Sequence, residues 1–373
     1  MSQFKQISDK NAKVLYLETS ALGQSLLTTP KLNKGSAFSE LERQQFHLRG
    51  KLPYNIEDLS QQVLRCYQQF LKKDNNLEKH LYLRSLHDTN ETLFYKLVSQ
   101  HLTEMLPVLY TPTVGKAVEQ FSQEFQRPRG LYIAYPDRDH IEEIIENRFK
   151  SEVDIIVMTD GAGVLGIGDQ GIGGMDICIV KSMVYVLCGG VNPSRLLPIQ
   201  IDVGTDNEQL LNDPMYLGWR HPRISGKEYD DMVERVVLAI QRKLPQAYLH
   251  WEDFGRENAR RNLERYHQQM CTFNDDMQGT GAVTLVALLS AITRTKVPLT
   301  EQRIVIVGAG TAGTGIADQL CAAMRREGLS QQEALSRFYL VGRHGLLHQA
   351  MPELTAFQKP YARSDLAETG TNL

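Results

Sequence analysis

The stretch Arg303-Ile-Val-Ile-Val307-Gly308-Ala309-Gly310-Thr311-Ala312-Gly313 decides the fold. A run of β-branched residues ends in glycines at a G-x-G-x-x-G spacing, and an apolar helical stretch, Ile316 to Met324, follows. Strand, glycine turn and helix in that order predict the opening of a doubly wound parallel sheet. Glycines there let the backbone turn tightly and approach a pyrophosphate, while the N–H groups of the helix start face its charge. The next strand is predicted at Phe338-Tyr-Leu-Val341 and ends in Gly342-Arg343. An acidic residue at that position would hold an adenine-ribose hydroxyl. Arg343 suits a 2′-phosphate instead, which points to NADP or else weakens dinucleotide binding.

Upstream, short strands are predicted at Asp154–Met158, Leu196–Val203 and Ala247–Trp251. Each runs into polar residues: Thr159-Asp-Gly161, Gly204-Thr-Asp-Asn207 and Glu252-Asp253. Between the last two strands, Met232, Val236, Val237 and Ile240 form one stripe of a helix over Tyr229–Lys243. Strands alternating with helices predict α/β architecture with ligands at the strand ends. From about Asn55 to Gln123 the spacing is helical, with Leu59, Val63, Tyr67 and Phe70 and then Leu93, Leu97, Leu102, Met105 and Leu109. Pro107 and Pro112 bracket Val108–Thr111 and predict an irregular turn there. The reading is a helical N-terminal region with an α/β domain over 1–280, then a Rossmann-type unit over 281–373.

Composition narrows the class. A chain of 373 residues predicts two or three domains with a sizeable core. With 41 basic and 44 acidic residues there is no overall basic character to serve a nucleic-acid partner. The apolar run Gly281–Ile292 is too short to span a bilayer and reads as a buried helix, so no membrane is expected. Five cysteines without a C-x-x-C pair suggest reduced thiols, not disulfides or a zinc site. Met1–Leu17 lacks an apolar signal core, and a cytoplasmic location is expected.

Several groups can carry chemistry. Glu252-Asp253 at a strand end and Asn274-Asp275-Asp276 before Gly279 offer three or four carboxylates. If they converge they repel one another unless a divalent cation sits among them, and oxygen ligation suits Mg²⁺ or Mn²⁺. The plainer alternative is a helix cap at Asn274 or Asp275 beside a solvated pair. Lys181 lies in an apolar stretch, where desolvation would favour a base, or it snorkels from a helix. Tyr110 is a proton donor or a core tyrosine. The glycine-rich tract Gly161–Gly174 either cradles an anion or makes a close-packed crossing. Arg127, Arg129 and His221-Pro-Arg223 read as surface features.

Taken together the chain resembles the malic enzyme family, including its malolactic branch. The resemblance runs through Leu32-Asn-Lys-Gly-Ser-Ala-Phe38, Asn90-Glu-Thr-Leu-Phe94, Tyr110-Thr-Pro-Thr-Val-Gly115, Arg129-Gly-Leu131 and Leu165-Gly-Ile-Gly-Asp169. It continues in Asp202-Val-Gly-Thr205, Leu211-Asn-Asp-Pro214, Trp251-Glu-Asp-Phe254 and Phe273-Asn-Asp-Asp-Met-Gln-Gly279. It implies Tyr110 as general acid, Lys181 as general base, Asp275 as the carboxylate that tunes the lysine, and Glu252, Asp253 and Asp276 as ligands of Mg²⁺ or Mn²⁺. Gly308 to Gly313 and Arg343 would bind NAD, with NADP possible. L-malate is the implied substrate, and a homodimer or homotetramer the implied assembly.

Departures from the family pattern divide the reading between branches. Asp160-Gly-Ala-Gly163 replaces the usual Asp-Gly-Glu-Arg, and the malolactic branch also lacks that arginine. Asp176, His250-Trp251 and Thr280-Gly281 resemble the malolactic branch as well. Gly168–Met175 and Gly218–Ile224 resemble bacterial malic enzymes, and Val180 fits neither branch. The resemblance thus implies oxidative decarboxylation of malate to pyruvate, with lactate as the alternative product. Gln302 to Leu373 suffices for about half of a dinucleotide domain, so a shortened, non-catalytic subunit or a poorly folding fragment are further expectations.

Overall fold

The computed structural model describes residues 4–8, 14–148, 152–164 and 166–364. Leu165 and most of the polar tail read at 361–373 lie outside the described residues. The chain divides into two compact units, Met1–Ala247 and Tyr248–Leu373.

The first unit opens with an antiparallel hairpin of β1 (Phe4–Ser8) and β2 (Val14–Thr19), then short helices α1 (Gln24–Leu27) and α2 (Glu40–Gln45). Next come α3 (Leu59–Leu71), α4 (Asn76–Thr89), α5 (Glu91–Gln100), α6 (Leu102–Leu109) and α7 (Thr113–Glu119). Asp58 starts α3 through a capping box with Gln61, and Asn90 caps α5 by accepting from Leu93 N. Val63, Phe70, Leu93, Leu97, Met105 and Leu109 are buried, as their spacing predicts. Pro107 does not break the chain where expected. It lies inside α6, whose last turn still closes through Tyr110 N to Leu106 O, 2.8 Å. Burial of Met105, Val108 and Leu109 offsets the missing donor, and the irregular segment is confined to Tyr110–Pro112.

The sheet of this unit uses β3 (Leu131–Ala134), β4 (Ile155–Thr159) and β5 (Leu196–Asp202), parallel, with β5 between the other two. α8 (Ile141–Glu146) follows β3, and α9 (Met175–Gly189) crosses from β4 to β5. α10 (Glu208–Asn212) and α11 (Gly226–Lys243) follow β5. The segment Gly171–Gly189 is long and apolar enough to cross a membrane by length and composition, yet most of it is buried in the protein, as befits a core helix.

The second unit begins with β6 (Tyr248–Trp251), α12 (Arg256–Tyr266) and β7 (Thr272–Asn274), whose strands pair in parallel with Trp251 opposite Asn274. A π-helical turn over Asp275–Gly279 leads into α13 (Thr280–Thr295). β8 (Ile304–Val307), α14 (Thr311–Arg326), α15 (Gln331–Leu335) and β9 (Phe338–Gly342) form the expected strand–helix–strand, with Ile304 opposite Phe338 in parallel register. β10 (Gly345–Leu346) folds back antiparallel on β9. Leu320, Met324, Phe338 and Leu340 fill the core between α14 and the strands.

One expectation fails here. α13 forms where predicted but is not a buried helix, since Val283 is 72% and Val286 64% exposed and only Gly281 is buried. Leu285, Leu288 and Ile292 on its other face pack against the core. An apolar run without a polar face carries no periodicity, so sequence cannot tell which side is covered. We therefore expect Val286→Lys to change unfolding free energy by no more than about 0.5 kcal/mol. Met324→Ala, at a fully buried position, should cost about 2–5 kcal/mol in urea unfolding.

Candidate active site

Parallel register builds the acidic site of the second unit. Because Trp251 stands opposite Asn274, the residues that follow each strand emerge level with one another: Glu252-Asp253 beside Asp275-Asp276. Trp251 anchors the first pair. It is fully buried, its Nε1 donates to Thr272 Oγ1, and its ring stacks on Tyr266 at 5.8 Å. Ligand oxygens of Glu252, Asp253 and Asp276 lie within 4.8 Å of one another, and all three residues are buried. Asp253 N donates to Asp276 Oδ2 at 2.9 Å. Asp253 also takes φ 55°, a left-handed conformation that costs about 1 kcal/mol or more for a non-glycine residue. The plainer reading holds for one neighbour only: Asn274 is the cap, accepting from Met277 N at 3.1 Å. Asp275 belongs to a second group, with ligand atoms of His250, Glu252 and Asp275 likewise within 4.8 Å. Gly279 makes room for it, since a Cβ there would fall 2.1 Å from Asp275 Oδ1.

Three oxygens from three buried carboxylate residues, with no soft donor among them, suit a hard divalent cation. At separations of no more than 4.8 Å and an effective dielectric of about 20, each ionised pair would repel by at least roughly 3 kcal/mol. The donor set therefore fits Mg²⁺ or Mn²⁺.

The glycine turn has the predicted form. Gly308 adopts φ 113°, and a Cβ at Gly313 would sit 1.8 Å from Gly308 O, so α14 can begin against the turn only without a side chain there. Gly310 is the N-cap of α14, and nothing lies closer to its missing Cβ than Arg256 Nε at 4.0 Å. That open cradle and the first-turn N–H groups, which have no acceptor within the helix, fit a pyrophosphate. Ala309 is buried, with its carbonyl held by Gln358 Nε2 at 2.7 Å, while Thr311 and Ala312 begin the helix. Arg256 was not singled out from sequence; its only signal is its place just after Trp-Glu-Asp-Phe-Gly255. Arg343 lies exposed in the turn between β9 and β10. Gly315 packs α14 onto the acidic turn, with its Cβ position 2.7 Å from Met277 Cα.

In the first unit the structure brings Lys181 and Tyr110 together. Lys181 is buried in α9 and does not snorkel, and its Nζ lies 4.9 Å from the centroid of the Tyr110 ring. Tyr110 sits where α6 ends, half-buried against the core. One turn earlier on α9, Asp176 pairs with Arg84 of α4. Burial works against the Arg84 charge, but the charge and hydrogen bond of Asp176 outweigh it and hold its pKa above the usual value.

Two basic segments expected at the surface are structural. Arg223 reaches both oxygens of Asp169, at 2.6 and 2.8 Å, and the carbonyl of Asp160 at 3.0 Å. Arg129 pairs with Asp88 while Arg127 Nη1 donates to the Asp88 carbonyl, so both tie α4 to the approach to β3. Burial pushes Asp169 up, yet the Arg223 hydrogen bonds and charge, with the N–H groups of Asp206 and Gly171, leave it below the usual carboxylate value. Asp160 differs. Burial raises its pKa despite Arg223 and the Tyr229 hydroxyl, which donates at 2.7 Å. The glycine-rich tract beside it is largely a close-packed crossing: a Cβ at Gly161 would lie 2.2 Å from Gly171 O, and one at Gly173 2.6 Å from Val118 O.

The chain is similar in sequence to known proteins along most of its length. Residues 87–267 match the family model for the malic enzyme N-terminal domain, and residues 277–372 that for the malic enzyme NAD binding domain. A protein of Aeromonas hydrophila subsp. hydrophila named NAD-dependent malic enzyme is 52% identical over 337 residues, 90% of this chain and 60% of that one. One of the same name from Psychrobacter arcticus is 49% identical over 357 residues, 96% of this chain and 63% of that one. The chain belongs to the malic enzyme family. It spans about 60% of the length of these malic enzyme relatives. Within the malic enzyme N-terminal match, the Arg223–Asp169 clamp fixes the loop that leads into α9 and Lys181.

Removing that clamp gives a prediction. The Arg223 side chain is 11% exposed, and Arg223→Met leaves the largely covered Asp169 carboxylate without its charged partner, which should cost about 3 kcal/mol of stability. The stability contributed by the depressed Asp169 is full above about pH 4 and is lost as pH falls through its lowered value. In Arg223→Met burial moves the Asp169 value up toward or past the unfolded one, so this acid-side loss should shrink or reverse, which urea midpoints measured from pH 3 to pH 7 would show.

Proposed function

We propose that the chain serves the divalent-cation- and NAD-dependent oxidative decarboxylation of L-malate to pyruvate and CO₂. The observation that carries this reading is the group of buried carboxylates Glu252, Asp253 and Asp276, set at the ends of register-matched strands in the unit that also holds the glycine turn. Glu252, Asp253 and Asp276 would hold Mg²⁺ or Mn²⁺, and Gly308–Gly313 with the start of α14 would hold NAD. When bound, the nicotinamide accepts the hydride from C2 of malate, and the cation is the Lewis acid that stabilises negative charge at the keto oxygen.

The chain's own side chains move the protons. Lys181 Nζ takes the hydroxyl proton as C2 becomes a ketone. The C3–C4 bond then breaks, CO₂ departs, and its bonding pair remains in the enolate of pyruvate. Tyr110 gives its phenolic proton to C3. With Lys181 Nζ 4.9 Å from the Tyr110 ring centroid, the proton taken by one can replace the proton given by the other. Functionally, residues 1–280 are assigned to substrate, cation and proton transfer, and 281–373 to NAD.

A second reading, lactate as product, is favoured by Asp176 and His250, which are engaged with Arg84 and Glu252. Carbon-13 NMR of labelled L-malate incubated with the protein, Mn²⁺ and NAD⁺ separates the two. We expect pyruvate with equimolar NADH. Lactate without net NADH would replace that reading by the malolactic one, and unchanged malate would overturn both. Lys181→Met should reduce turnover by about 10²–10⁴-fold, measured as NADH formation.

A further inference from the structure

We propose that His250 is a positioning residue that sets the cation affinity of the carboxylate group, an inference that rests on the cation site of the preceding section. His250 lies on β6 two residues before the end of the strand pair, 1% exposed, with its ring edge-on to Phe273 at 5.5 Å. Its Nε2 bonds to Glu252 Oε2, itself buried. An ionised carboxylate only accepts, so Nε2 carries the hydrogen and His250 donates. Glu252 has two oxygens. The imidazole engages one and so fixes the rotation of a carboxylate that has an oxygen within 4.8 Å of Asp253 and Asp276.

Two features make this bond consequential. Parallel pairing of His250 with Phe273 fixes the imidazole on the strand, so the donor is rigid. At 3% exposure Glu252 also has little water to replace a lost donor. Hydrogen-bond partners of metal-ligating side chains commonly set affinity, and their loss costs 10–100-fold. His250 is also within 4.8 Å of Asp275, so the same ring spaces Glu252 from the next carboxylate.

The test is Mn²⁺ binding to the purified protein, read from the EPR signal of free Mn²⁺, for His250, His250→Leu and His250→Gln. Leucine fills the space without a donor, whereas glutamine keeps an N–H at similar reach. We expect the Mn²⁺ dissociation constant to rise 10–100-fold in His250→Leu and to recover to within about threefold in His250→Gln. Equal affinity in all three proteins, with wild type binding tightly, overturns the role of His250 and leaves the cation site standing. Equal losses in both variants overturn it as well, because a donor would then not be what matters. Pulsed EPR of the wild-type Mn²⁺ complex should show no directly coordinated nitrogen; a strong ¹⁴N coupling would make His250 a ligand and overturn the positioning role. No Mn²⁺ binding by wild type would overturn the cation site itself, and the inference with it.

Discussion

Three carboxylates brought together out of water repel one another, and much of the second unit is arranged to hold them against that repulsion. Trp251 locks β6 to β7 and to α12, Asp253 accepts a left-handed backbone, and Asp276 is tied to the Asp253 amide. Gly279 gives up its side chain to leave room for Asp275, and Gly315 lets α14 press on the same turn. A fold optimised for stability alone would not gather these groups. In the proposed function a divalent cation entering the group would release that repulsion.

The first unit solves a different problem, the placing of an amine in an apolar helix. α9 is buried along most of its length, and its start is fixed from outside by Arg223, which binds Asp169 and the Asp160 carbonyl. Arg84 holds Asp176 on the neighbouring turn. Lys181 thus emerges from a helix packed into the core, with its Nζ over the ring of Tyr110 at the end of α6. Both supports lie on the N-terminal side of Lys181, and a fixed approach of this kind suits the proton transfer proposed for the pair.

The sequence made some of this legible and not the rest, for physical reasons. Strand, glycine turn and helix at Ile304–Arg326 were readable because each glycine answers a local steric demand, at Gly313 against Gly308 above all. Lys181 stood out as a charge in an apolar run. The acidic residues were visible too, but their convergence depends on the β6–β7 register, which no local pattern encodes. Arg223 and Arg129 looked like surface residues because their partners, Asp169 and Asp88, are 54 and 41 positions away. The exposed face of α13 was hidden because a helix apolar on all sides gives no phase. His250 gave no metal-ligand spacing, since it acts on a carboxylate two residues further on.

The most direct measurement of the central claim compares thermal unfolding of wild type and Asp276→Asn, each in chelator and in millimolar Mn²⁺. Removing one charge from the crowd should relieve repulsion, while the asparagine oxygen still accepts from the Asp253 amide. The account predicts that Asp276→Asn melts above wild type in chelator and below it in Mn²⁺, because a bound ion stabilises the folded state in proportion to its affinity. A variant that melts below wild type by the same margin in both conditions would contradict it.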